Sequence, residues 1–138
     1  MSKTLLVCDC LGSQTVDAKK LATATGLACS GCHSSLCTTQ IEVAAKAIAV
    51  GDVMIACAQE AHRFSELAEE QGVQHPQFVD IRDRAGWTND TASSTAKMAA
   101  LIADANLPDP SYKSFDVVSE GSCMIIGPQD AALAAAEK

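Results

Sequence analysis

Short, unbroken apolar runs alternate with amphipathic stretches along most of this chain. Residues 4–9 (TLLVCD) form a run of strand length, as in a parallel strand covered on both faces. After Gly12 and Ser13, VDAKKLATATG has helical spacing, with Gly26 as its C-cap. Residues 27–36 (LACSGCHSSL) mix small and polar types and predict one short strand and a loop. TTQIEVAAKAIAVG reads as a helix capped by Thr38 or Thr39, with Ile41, Ala44, Ala45 and Ile48 inward and Gly51 at its end. DVMIACA (52–58) is the clearest strand. AHRFSELAEEQG is a helix that turns Phe64, Leu67 and Ala68 inward and stops at Gly72. QFVDI (77–81) predicts a further strand, and DTASSTAKMAALIADANL a helix that closes before Pro108. FDVV and SCMIIG predict a strand pair, with Cys123 a buried strand residue, before an Ala-rich helix from about Pro128.

Alternation of this kind predicts an α/β fold, a mostly parallel sheet with helices on both faces in a three-layer, Rossmann-like or flavodoxin-like arrangement. A small strand pair and helix follow at the C-terminus. Residues 1–106 form the expected α/β cysteine-rich domain, and 107–138 an appendage packing on it. The sequence ends within LAAAEK, in the middle of a good helical pattern, which suggests a domain excised from a longer multidomain protein.

Of the 138 residues, 48% are apolar and 20% charged, enough to build a core and too apolar for a disordered chain. The formal charge of −7 argues against nucleic acid and anionic membrane as partners. No apolar run approaches the roughly 18 residues of a membrane span. The start, MSKTLLVCDC, does not read as a secretory signal, so the expected location is cytoplasmic.

Seven cysteines change this picture most: Cys8, Cys10, Cys29, Cys32, Cys37, Cys57 and Cys123. In a reducing compartment an odd set of thiols in a chain with an adequate core points to metal binding or redox chemistry rather than a disulfide framework. In parallel α/β sheets, ligands gather outside the carboxyl ends of the strands. Cys8 and Cys10 end the first strand, Cys57 ends the clearest one, and Cys37 enters a helix, so these four are expected to converge at one sheet edge. Helix N-termini there offer N–H donors that stabilise thiolates and a net-negative iron–sulfur cubane. Arg82 and Arg84 are placed to add positive potential, and Trp87 to cover a site from water.

Other chemistries compete. Cys29-x2-Cys32 reads as a redox dithiol, and Cys29, Cys32, His33 and Cys37 have the residue types of a structural zinc site. The C-x2-C-x2-C run of bacterial ferredoxins is absent, as are G-x-G-x-x-G, Walker A and G-x-S-x-G. His62 and His75 read as surface or capping residues, and Glu60 as a first-turn helix acid.

VCDCLGS, LCTTQ, VMIACAQEAHRF and VDIRDRAGW followed by KMAALIA occur in that order. Together they resemble the N-terminal domain of the heterodisulfide reductase family, in its flavin-bearing subunits, and of their proteobacterial 4Fe-4S ferredoxin-like relatives. The resemblance spans roughly residues 4–105. It implies a domain with one [4Fe–4S] cluster that passes electrons to redox domains in the same or a partner chain. The cluster ligands carried over are Cys8, Cys10, Cys37 and Cys57. Archaeal members have a further cysteine where this chain has Ala85. If that cysteine is a ligand there, its place here falls to Cys8 or to one of Cys29, Cys32 and Cys123. The sequence thus predicts an electron-transfer module, with a thiol redox or sulfur-transfer domain, or a structural zinc domain, as the alternatives.

Overall fold

Leu5, Leu6, Val7 and Cys8 are all buried, so the first strand must be covered on both faces. It is. In the computed structural model, which describes residues 3–108, 113–118 and 120–137, β1 (Thr4–Cys8) lies inside a four-stranded, all-parallel sheet. Its neighbours are β2 (Cys32–His33) and β3 (Val53–Ile55), and β4 (Gln77–Phe78) completes the order β2-β1-β3-β4. Helices α1 (Ala18–Thr25), α2 (Ile41–Val50), α3 (Ala61–Gln71) and α4 (Thr91–Ala105) alternate with the strands.

Side chains of β1 leave alternately on opposite faces and seed two hydrophobic layers. Leu5 and Val7 meet Leu21 of α1 with Met98 and Ile102 of α4. Leu6 and Cys8 meet Ala44 and Ile48 of α2 with Phe64 and Ala68 of α3. Phe64 also stacks on Phe78, with ring centroids 6.5 Å apart. The three-layer α/β arrangement read from the sequence is the observed one.

Local signals explain where the helices stop and start. Gly26 and Gly72 cap α1 and α3 in the left-handed conformation that glycine adopts without steric cost. Asp17 and Asp90 accept N–H bonds from Lys20 and Ser93 and so cap α1 and α4. These bonds, first the one from the Lys20 N–H and the one from the Ser93 side chain respectively, hold both carboxyls below the usual 3.8. A folded-state value below the unfolded one gives stability that is present above 3.8 and lost as pH falls through the lower folded value. Acid titration of wild type, followed by helical circular dichroism, is therefore expected to show a loss that the Asp17→Asn/Asp90→Asn variant lacks, because Asn caps without titrating.

Two local expectations change, and one feature is new. Thr38 and Thr39 do not cap α2. Gln40 occupies that position, and its Oε1 accepts the N–H groups of Ser34 and Ser35 instead. The fourth strand pairs only over Gln77–Phe78, although Val79 and Ile81 stay buried beyond it. A single π-helical turn, Arg82–Gly86, follows it and is not signalled by the pattern.

Residues 109–138 form a separate compact unit. It carries α5 (Gln129–Ala136), as expected near Pro128. The strand pair does not form among its described residues: FDVV and SCMIIG are irregular, and Phe115, Val117, Val118, Met124 and Ile126 are exposed. Cys123 is likewise exposed rather than buried in a strand. High β-propensity yields a strand only where a pairing partner and a packing surface exist.

Candidate functional site

The sheet order places β2 and β3 on opposite sides of β1. The connections leaving β1 and β3 therefore diverge, and a crevice opens outside their carboxyl ends. A cavity of about 310 Å³ occupies this place, roughly ten waters' worth at ~30 Å³ each. Cys8, Cys10, Cys37 and Cys57 all line it. Cys8 is buried and the other three are half-buried.

Each cysteine arrives by a different local device. Cys8 is the last residue of β1, and its sulfur accepts the Cys10 N–H at 3.4 Å. After it the chain turns sharply through three successive left-handed residues, Cys10 (φ 52°), Leu11 (φ 60°) and Gly12 (φ 75°). Left-handed backbone costs a residue with a Cβ about 1–2 kcal/mol. The turn is held by the Leu11 N–H on the Ser34 carbonyl (2.8 Å) and by Asp9, whose Oδ1 accepts from the Gly12 N–H and the Ser34 hydroxyl. Strain held this firmly is typical of functional loops. Cys37 lies in the turn before α2, which the Gln40 amide ties to Ser34 and Ser35. Cys57 follows β3 where the backbone rises into α3.

Beneath Cys8, the buried Gln14 donates its Nε2 to the Cys8 carbonyl at 2.8 Å. Its Oε1 lies against Gly86, where a Cβ would fall 2.4 Å away. Gly86 is therefore required by close approach and not by a turn.

The thiols also act on one another electrostatically. Burial, then Cys8 and Cys57, push the Cys10 thiol up to about 11, while Arg82 pulls it the other way. Burial also raises Cys57, against the N–H groups of Glu60 and Gln59 that favour its thiolate; Cys37 and Cys8 raise it further. Four thiolates would repel one another here unless a cation shared them, and a coordinated metal would offset that penalty with its own positive charge while holding the thiols deprotonated.

Ser13, Ser34, Ser35 and Thr38 line the same cavity, and Arg82 is the basic residue among its lining. Arg84 is exposed and lines a different hollow with Lys97, so the expected pair of cations reduces to one. Trp87 does not cover the cavity. It is 64% exposed and stacks on the Arg82 guanidinium at 4.9 Å. Ala85 packs into the α1/α4 layer, away from the four thiols. Sequence reading missed Gln14, Gly86 and the serine rim, because each acts through a contact distant in sequence.

The other thiols lie elsewhere. Cys29 packs on the α1/α4 face, whereas Cys37 packs on the α2/α3 face, which separates the residues of the zinc alternative. Among the described residues no three His, Cys, Asp or Glu side chains are grouped to hold a single metal ion. Thiolates on one zinc stand about 3.8 Å apart, given Zn–S of ~2.3 Å, whereas a multi-iron core spreads its ligands wider. Burial raises Cys29 and pushes Cys32 up to about 11, the reverse of the activation a nucleophilic thiol needs. His62 and His75 are surface residues near Glu66 and Glu69, as expected. Among the described residues no helix is long and apolar enough to cross a membrane.

Comparison with family models, curated proteins and solved structures gives no match for this chain.

Proposed function

We propose that residues 1–108 hold one [4Fe–4S] cluster through Cys8, Cys10, Cys37 and Cys57 and serve as an electron-transfer module of a longer redox protein in the cytoplasm. One observation carries this reading: four cysteines from three separate segments line a single cavity at the switch point of the sheet. The resemblance to the N-terminal domain of the heterodisulfide reductase family and its ferredoxin-like relatives supports it, and Cys8 fills the fourth ligand position. When bound, the cluster supplies reversible one-electron storage. The protein's own residues do the rest. The Cys10 N–H donates to the Cys8 sulfur, and the N–H groups before α3 favour the Cys57 thiolate. Burial of Cys8 restricts water. Its partners are redox domains of the same or another chain. The acidic surface disfavours nucleic acid, and no membrane insertion is involved.

Anaerobic purification or reconstitution tests this directly. About four irons and four sulfides per chain are expected, with a brown colour. The emission of the single tryptophan, Trp87, is expected to be quenched as the cluster assembles. Colourless, iron-free protein after reconstitution would shift the reading to thiol or zinc chemistry.

A further inference from the structure

Arg82 opens the π turn at the edge of the four-cysteine cavity, and the turn is pinned by burial of Ile81 before it and of Ala85 and Gly86 at its end. Arg82 also lines the adjoining hollow with Cys10, Cys57, Asp80 and Asp83. Its guanidinium stacks on the Trp87 ring, and the Trp87 Nε1–H is itself fixed on Asp83 Oδ1 at 3.0 Å. The facing carboxylates are engaged elsewhere, Asp83 with Trp87 and Asp80 with the Asp83 N–H. Glu60, from the start of α3, is the acid that lines the cavity itself. Among the described residues Arg82 makes no ion pair with any of them. Its Nε is buried without an acceptor, a donor left over beside four sulfurs. Leaving such a group unmade is costly, so the position calls for an anionic occupant.

We infer that Arg82, held in place by Trp87, is the fixed charge that sets how readily the four-cysteine cavity accepts an electron. This rests on the iron–sulfur reading above. An added electron makes the site one unit more negative, and a cation held nearby in partly buried surroundings stabilises that state more than the oxidised one. A free arginine would swing into water and be screened; the indole stack prevents this. Trp87 is thus a positioning residue, and Arg84, outside the cavity, contributes nothing specific.

Redox titration of the anaerobically reconstituted protein tests the inference. Arg82→Gln is expected to lower the one-electron reduction equilibrium constant about tenfold, ~59 mV. Arg82→Lys retains part of the charge effect and shifts it less. Trp87→Leu shifts it in the same direction as Arg82→Gln, by a smaller amount, and gives a second route if Arg82→Gln folds poorly. Arg84→Gln leaves it unchanged. Equal shifts in Arg82→Gln and Arg84→Gln, or none in Arg82→Gln, would overturn the inference while leaving the cluster in place. Wild-type protein that takes up no iron would instead overturn the iron–sulfur reading beneath it.

Discussion

Cys57→Ala is expected to reduce iron and acid-labile sulfide in reconstituted protein from about four of each to background. Cys57 sits where the end of β3 meets the first N–H groups of α3 and lines the cavity from there. Cys37→Ala is expected to have the same effect, because its turn supplies the α2 side. Cys123→Ala serves as the contrast: it lies in the 109–138 unit, exposed, and is expected to keep the full complement. Loss of a half-buried sulfur leaves both hydrophobic layers in place, so the variants should remain folded by circular dichroism. Iron content unchanged in both ligand variants would remove the cavity from consideration as the metal site.

Gly86→Ala is expected to destabilise the protein by about 1–3 kcal/mol, read as a lower urea midpoint with an unchanged slope. The added methyl would lie 2.4 Å from Gln14 Oε1 and 3.2 Å from its Cβ. Gln14 is 5% exposed, and its amide nitrogen is held on the Cys8 carbonyl at 2.8 Å. A double-mutant cycle gives a sharper reading. If the clash with Gln14 is the cause, Gly86→Ala combined with Gln14→Ala should cost less than the sum of the two alone, with a coupling of roughly 0.5–3 kcal/mol, the scale for contacting pairs. Additive costs would mean that Gly86 is constrained by something other than this amide.

Much of this architecture was legible in the sequence because it rests on local chemistry. A run such as LLVC admits few alternatives to a strand covered on both faces, and a glycine ending an amphipathic stretch marks a left-handed cap, as at Gly26 and Gly72. The convergence of Cys8, Cys10, Cys37 and Cys57 followed from a topological rule rather than from any spacing between them. What escaped was determined by contacts remote in sequence. Nothing in CDCLGS announces that Cys10 and Leu11 adopt left-handed backbone, since the Ser34 carbonyl and the Asp9 carboxylate hold them there. The role of Trp87 could not be seen without the π turn that lays it over Arg82. FDVV and SCMIIG misled because strand propensity measures fitness for a pleated surface, and the 109–138 unit offers none among its described residues.

The central position of β1 also has a consequence in time. β1 ends at Cys8, with Cys10 in the turn just beyond it, but its partner β3 begins only at Val53, after two helices and β2 have been made. Until that long-range pairing closes, the thiols belong to separate stretches of nascent chain and present no shared pocket to a passing metal ion. On the iron–sulfur reading proposed above, cluster delivery would therefore follow folding rather than drive it. Because both hydrophobic layers are built mostly from other side chains, the proposed reading lets the scaffold fold before any cluster is bound.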